Sequence, residues 1–241
     1  MRPVALVLVA LLAAGCDGRL PGRPPQGDEV LRPSQELDFS VLYGSNCAGC
    51  HGPDGRGGAS VELGDPVYLA FADDGVLRGV TSNGVAGTAM PAFARSAGGT
   101  LTDAQVEALV NGIRTRWGKP EVLRGAAPPP YAAASEGDAG RGAQAYGVFC
   151  ASCHGATGKG GAKASAIADG TYLALVSAQH LRTTVLVGRP DMGAPDWRSD
   201  VAGRPMTDSE VSDVVAWLIA QRLVFPGQPY PSGSVGAGER K

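Results

Sequence analysis

The pentapeptide Cys-x-x-Cys-His occurs twice in this chain of 241 residues, as Cys47-Ala48-Gly49-Cys50-His51 and Cys150-Ala151-Ser152-Cys153-His154. The two copies use four of the five cysteines. In each, the two thiols lie on neighbouring turns of one short segment, with the histidine directly after the second. A zinc site would gather four ligands into one cluster, whereas each pair here has its own histidine and its own domain-sized stretch of chain. A redox disulfide of the thioredoxin type needs a strand–helix–strand setting that the sequence lacks.

The same spacing is the attachment signature of c-type haem. The thiols add across the two vinyl groups of one porphyrin, and the adjacent histidine lies under the iron as proximal ligand. Both copies are therefore read as sites of covalent haem c, at Cys47, Cys50 and His51 and at Cys150, Cys153 and His154. The chain is long enough for two small domains, each of which could bury only a modest core on its own. Aromatics make up 6% of the residues, while glycines number 36 and prolines 18. A porphyrin would supply the missing apolar centre. The formal net charge of −2 argues against nucleic acid, which would need a basic surface.

The first residues read as an export signal. Arg2 provides the positive start, and Val4 to Leu12 is an apolar run too short to span a bilayer. The run ends Leu12-Ala13-Ala14-Gly15-Cys16 and resembles a bacterial lipoprotein signal, although Ala13 stands where leucine is commoner. That resemblance implies lipidation of Cys16, the one cysteine outside the two motifs. The alternative is an ordinary secretory signal with Cys16 as a stray thiol.

A stretch rich in Gly, Pro and charge follows Cys16 and reads as a tether. A second such stretch contains Ala126-Ala127-Pro128-Pro129-Pro130, and three successive prolines would stiffen it into a semi-rigid spacer holding two domains apart. The boundaries drawn from this are a signal peptide over 1–15, a tether over 16–35, and domains over 36–120 and 137–223. A Pro-rich linker over 121–136 separates the domains, and a disordered tail covers 224–241.

Between the linkers the chain repeats itself. At an offset of 103, His51-Gly52 faces His154-Gly155, each followed by a Gly-rich loop. At 104, Tyr68-Leu69-Ala70 faces Tyr172-Leu173-Ala174, and Gly84 faces Gly188. At 105, Leu101-Thr102-Asp103 faces Met206-Thr207-Asp208. Helices are expected before the cysteines, near 39–46 and 141–149, and again near 73–82 and 178–187. Thr102 and Thr207 read as N-caps with acidic first turns. The helices after them carry apolar stripes at i, i+3, i+4, i+7: Val106, Leu109, Val110, Ile113 and Val211, Val214, Val215, Leu218.

Attachment motif, Gly-rich loop, Met-Pro loop and C-terminal amphipathic helix, in that order, resemble a class I cytochrome c domain twice over. The resemblance implies an all-α chain of two tandem cytochrome c-like helical domains, each wrapped around one covalent haem. It also implies a methionine as sixth iron ligand on the loop before the last helix, where a thioether raises the iron's potential.

In the first domain that residue is Met90, in Thr88-Ala89-Met90-Pro91. The second domain departs from the pattern, because the repeat maps Met90 onto Ala194 and Pro91 onto Pro195. Met192 lies two residues early, opposite Thr88, and is the first candidate. An open or water-bound iron is the second. Met206 is the third, since it stands opposite Leu101 at a position suited to an apolar staple. His180 aligns with Val76 near a helix start and reads as a surface residue.

Two haems with filled axial positions leave no place for substrate and point to outer-sphere electron transfer. The chain is similar to the di-haem cytochrome subunits of cbb-type haem-copper oxidases, with a lipid in place of their membrane helix. That implies a membrane-anchored electron carrier on the periplasmic face of a bacterial inner membrane, passing electrons to a terminal oxidase or allied respiratory complex. One alternative is a di-haem peroxidase-like enzyme with an open second haem, for which the loop offers only Arg189, Asp191 and Asp196 and no distal histidine. The other is a mobile periplasmic shuttle.

Overall fold

The computed structural model describes residues 31–224. The expected signal, Cys16 and the tail from 225 onward lie outside them. Residues up to 36 and those from 37 on separate into two units. The first contributes a 3-10 turn at Pro33–Gln35.

Among the described residues, ten α-helices build the second unit. They are α1 Phe39–Asn46, α2 Ala48–His51, α3 Pro66–Phe71, α4 Asp74–Asn83, α5 Asp103–Trp117, α6 Ala139–Phe149, α7 Ala151–His154, α8 Gly170–Leu175, α9 Ala178–Val187 and α10 Asp208–Ile219. Among the described residues β-pairing is confined to two isolated bridges, Ala94 with Leu101 and Arg189 with Ala194. The first five helices and the second five are the two repeats.

Local chemistry starts each of the longer helices. Asp38, Asp65, Asp73, Asp138 and Asp169 accept hydrogen bonds from first-turn amides, and Ser177 does so for α9. Thr102 with Gln105 and Thr207 with Glu210 form full capping boxes. Each such cap offsets donors that the first turn leaves unpaired, at about 1 kcal/mol apiece. The predicted stripes on α5 and α10 are buried along their whole length.

The first and last helices of each repeat cross closely. In the first repeat the ring of Phe39 on α1 lies over Gly112 of α5. Tyr43 and Trp117 meet beside it edge to face, with centroids 5.1 Å apart. In the second repeat Gly142 of α6 lies against the backbone of Asp213 on α10. Tyr146 stacks on Trp217 with centroids 4.2 Å apart.

The two repeats share one hydrophobic core. Phe71 of α3 meets Trp197 of the second repeat edge to face, with centroids 5.2 Å apart, and Trp197 is buried. The spacer expected to hold the domains apart instead lies between them as filling. Val122, Leu123, Ala126 and Tyr131 pack against the core. The Val122 carbonyl accepts from Arg198 Nη1 at 3.1 Å, and the Tyr131 carbonyl accepts from Gln179 Nε2 and Arg182 Nε, both at 3.0 Å. The reason is chemical: the segment carries four apolar side chains to bury, and its prolines present carbonyls but no amide protons.

Candidate functional site

Each attachment segment is built the same way. Cys47 ends α1, its amide bonded to the Tyr43 carbonyl at 2.8 Å, and also opens α2. Cys150 does the same between α6 and α7. The amides of His51 and His154 close the turns onto the carbonyls of Cys47 and Cys150, both at 3.0 Å. A glycine must follow each histidine. Gly52 has φ +82°, and a Cβ there would fall 1.7 Å from the Arg56 carbonyl oxygen; Gly155 has φ +77°. The reversal is secured by a tyrosine from the preceding helix: Tyr43 Oη donates to the Gly52 carbonyl at 2.8 Å, and Tyr146 Oη to the Gly155 carbonyl at 2.5 Å.

The Gly-rich loop then returns a carbonyl to the imidazole. His51 Nδ1 lies 2.8 Å from the Val61 oxygen, and His154 Nδ1 lies 2.8 Å from the Ser165 oxygen. A carbonyl only accepts, so Nδ1 carries the proton and Nε2 keeps its lone pair for a metal. Burial pushes the His51 imidazole below its ordinary range, which also favours the neutral ligand form.

None of the four motif cysteines is in a disulfide. Burial, and then the neighbouring thiol, push both Cys47 and Cys150 up to about 11. That is the opposite direction from the lowered pKa that activates a redox thiolate. Among the described residues no three of His, Cys, Asp and Glu converge on a metal position, which leaves the zinc reading without a cluster. The donor set fits haem c in both repeats, with two unpaired thiols flanking one turn and an imidazole whose Nδ1 is already engaged.

The loops before the last helices align by their hydrogen bonds. Val85 donates to the Met90 carbonyl at 3.0 Å, and Arg189 donates to the Ala194 carbonyl at 3.0 Å. Leu101 bonds to the Phe93 carbonyl at 2.8 Å, and Met206 to the Trp197 carbonyl at 2.7 Å. Gly84 and Gly188 both have positive φ, each against the backbone after Met90 or Ala194. Met90 and Ala194 thus hold the same place. Met90 is half-buried. Met192 ends a 3-10 turn and is 71% exposed, whereas Met206 is buried in the core.

Four titratable groups of the second loop are engaged in ion pairs. Arg189 pairs with Asp191 at 2.8 Å, and Arg198 pairs with Asp196. His180 is half-buried rather than on the surface, with Nε2 3.4 Å from Tyr172 Oη, and burial lowers its pKa. Sequence reasoning missed the short helices α3 and α8, whose capping residues Asp65 and Asp169 were the available signal. It also missed Arg182, whose guanidinium bonds to the Pro130 and Tyr131 carbonyls.

Residues 37–111 match the family described as cytochrome c oxidase, cbb3-type, subunit III, and residues 139–220 match the cytochrome c family. The chain belongs to the c-type cytochromes and carries two of their domains in tandem, a class defined by covalently held haem c. It is 27% identical over 232 residues to the cytochrome bc1 complex cytochrome c subunit of Mycobacterium tuberculosis, covering 92% of this chain and 77% of that one. It is 30% identical over 154 residues to the cbb3-type cytochrome c oxidase subunit CcoP of Azospirillum sp., covering 55% and 45%. A solved reducing HAO-like protein complex from Kuenenia stuttgartiensis superposes on 80% of this chain and 100% of that one, at 17% identity and a TM-score of 0.44.

Proposed function

We propose that this protein is a di-haem c-type cytochrome that carries electrons to or within a membrane respiratory complex such as a terminal oxidase. The observation that carries the reading is the duplicated attachment turn, with an Nδ1–carbonyl bond of 2.8 Å in each copy. Cys47 and Cys50, and Cys150 and Cys153, hold the porphyrins, and His51 and His154 are the proximal ligands. Bound haem supplies a one-electron iron couple. The chain's part is to fix each imidazole in one tautomer and orientation, to exclude water with the stripes of α5 and α10, and to offer a thioether opposite.

Met90 is that thioether in the first domain. In the second we assign Met192, because its side chain is not spent on the core while that of Met206 is. Ala194 at the Met90 position favours a second reading, in which the second iron is open and the protein is peroxidase-like. Against it, Arg189, Asp191 and Asp196 are tied up in ion pairs and so are not free to act as acid or base.

No described helix is long and apolar enough to cross a membrane. We assign the attachment to a lipid on Cys16, which places the protein on the periplasmic face of the inner membrane. The names of the relatives from Mycobacterium tuberculosis and Azospirillum support a respiratory complex as partner. The test is purification from detergent-solubilised membranes, with haem counted per chain and co-purifying proteins identified. Two haems with subunits of a respiratory complex are expected, and one haem or a lone chain would overturn the reading.

A further inference from the structure

Arg182 on α9 has a side chain only 3% exposed. A cation that deep is costly unless its donors are satisfied, and here the fork makes four hydrogen bonds on two sides. Toward α10, Nη1 donates to Ser212 Oγ at 3.1 Å and Nη2 to the Asp208 carboxylate. Toward the linker, Nη2 donates to the Pro130 carbonyl at 2.7 Å and Nε to the Tyr131 carbonyl at 3.0 Å. Gln179, one turn earlier, adds a further bond to the Tyr131 carbonyl.

The first repeat contains the same arginine in another role. Arg78 stands 104 residues earlier, and it pairs with Glu107 of α5 at 2.9 Å, with both side chains nearly half exposed. In the second repeat the position of Glu107 is taken by Ser212, which needs only one N–H. The position of Gln179 is Gly75 in the first repeat, which has no side chain to donate. Two substitutions relative to the repeat thus turn a surface ion pair into a clamp on the linker.

We infer that Arg182 is a positioning residue that locks Pro130 and Tyr131 to the second domain and thereby sets the spacing and orientation of the two haem sites. The inference rests on the di-haem reading, because electron exchange between two centres falls steeply as they separate. Pro130 lacks an amide proton, so carbonyl acceptance from Arg182 is how it is held.

Two variants test it. Arg182→Gln removes the clamp. Ser212→Glu rebuilds the Arg78–Glu107 arrangement, drawing Arg182 off the linker while keeping its charge paired should the first variant fold poorly. Haem content, the spectra of both haems and their midpoint potentials should match the parent, because neither change touches an attachment residue. Tryptic cleavage after the exposed Arg124 should accelerate at least about tenfold, the effect of losing even one of the two charge-assisted bonds to the linker. Electron equilibration between the haems after flash reduction should slow by at least as much. Parent rates in both readouts would overturn the inference, and so would faster cleavage with unchanged equilibration. Failure of the parent protein to carry two haems would sink the di-haem reading instead, and cleavage would still judge the clamp.

Discussion

The ring of Phe39 occupies the space above Gly112: a Cβ built on that glycine would fall 2.0 Å from Phe39 Cδ2. In the second domain the pair is exchanged. Gly142 stands at the repeat position of Phe39, and Trp217 stands at that of Gly112. A Cβ on Gly142 would lie 2.7 Å from Trp217 Cβ and 2.0 Å from the Asp213 carbonyl oxygen. Each crossing sets a glycine on one helix against an aromatic residue on the other, and the two domains assign the glycine to opposite helices.

Gly112→Ala should therefore destabilise the first domain by about 1–3 kcal/mol, the usual cost of overpacking a filled core. Phe39→Leu in the same chain should recover part of the loss, since a smaller side chain removes the overlap. Denaturant unfolding of the haem-loaded single and double variants measures this. Simple additivity of the two changes would show that the Phe39 ring and the added methyl do not compete for one space.

Thioether ligation is open to a paired test. Met90→Leu should remove a methionine–iron absorption signature and lower the potential of one haem. Met192→Leu should do so for the other, provided its loop turns the sulfur inward from the exposed position. Ferrous carbon monoxide should not bind the parent protein. Binding at one haem, with a spectrum indifferent to Met192→Leu, would favour the open-iron reading.

Acid sensitivity of the second domain should trace to Asp213. Its buried carboxylate accepts from Arg141 Nε at 2.8 Å and from the Asp138 amide at 2.6 Å. The bond from Arg141 holds its pKa below the ordinary carboxylate range. A depressed folded pKa means that the stabilisation is complete above the unfolded value, about 3.9, and is lost as pH falls through the folded one. Asp213→Asn should be less stable than the parent at neutral pH, with the gap closing below about pH 4. A constant gap across that range, in thermal unfolding followed by circular dichroism, would remove Asp213 from the account.

Cys16→Ser should release the protein into the soluble fraction or leave it uncleaved. Fractionation with mass spectrometry of the N-terminus checks this, and an acylated variant that still pellets with membranes would rule out the lipid anchor.

Much was legible in the sequence because it is local. The motif and its glycine sit within one turn, Thr102 and Thr207 cap from their own first turns, and the stripes of α5 and α10 run long enough for a helical period to register. The loop alignment was legible too, since the repeat itself paired Met90 with Ala194. The helices α3 and α8, at six residues each, are too short to display a period.

What only the tertiary structure decided is how the repeats use the same letters. Tyr68-Leu69-Ala70-Phe71 and Tyr172-Leu173-Ala174-Leu175 read alike, yet Tyr68 and Phe71 are buried while Tyr172 and Leu175 are exposed. The first pair has the linker and Trp197 against it. Likewise Arg78 and Arg182 occupy equivalent positions, one as a surface ion pair and the other as a buried clamp. Burial depends on what arrives from elsewhere in the chain. The sequence by itself determined two attachment turns and the helices around them; the packing of one repeat on the other determined which of their matching side chains face protein and which face water.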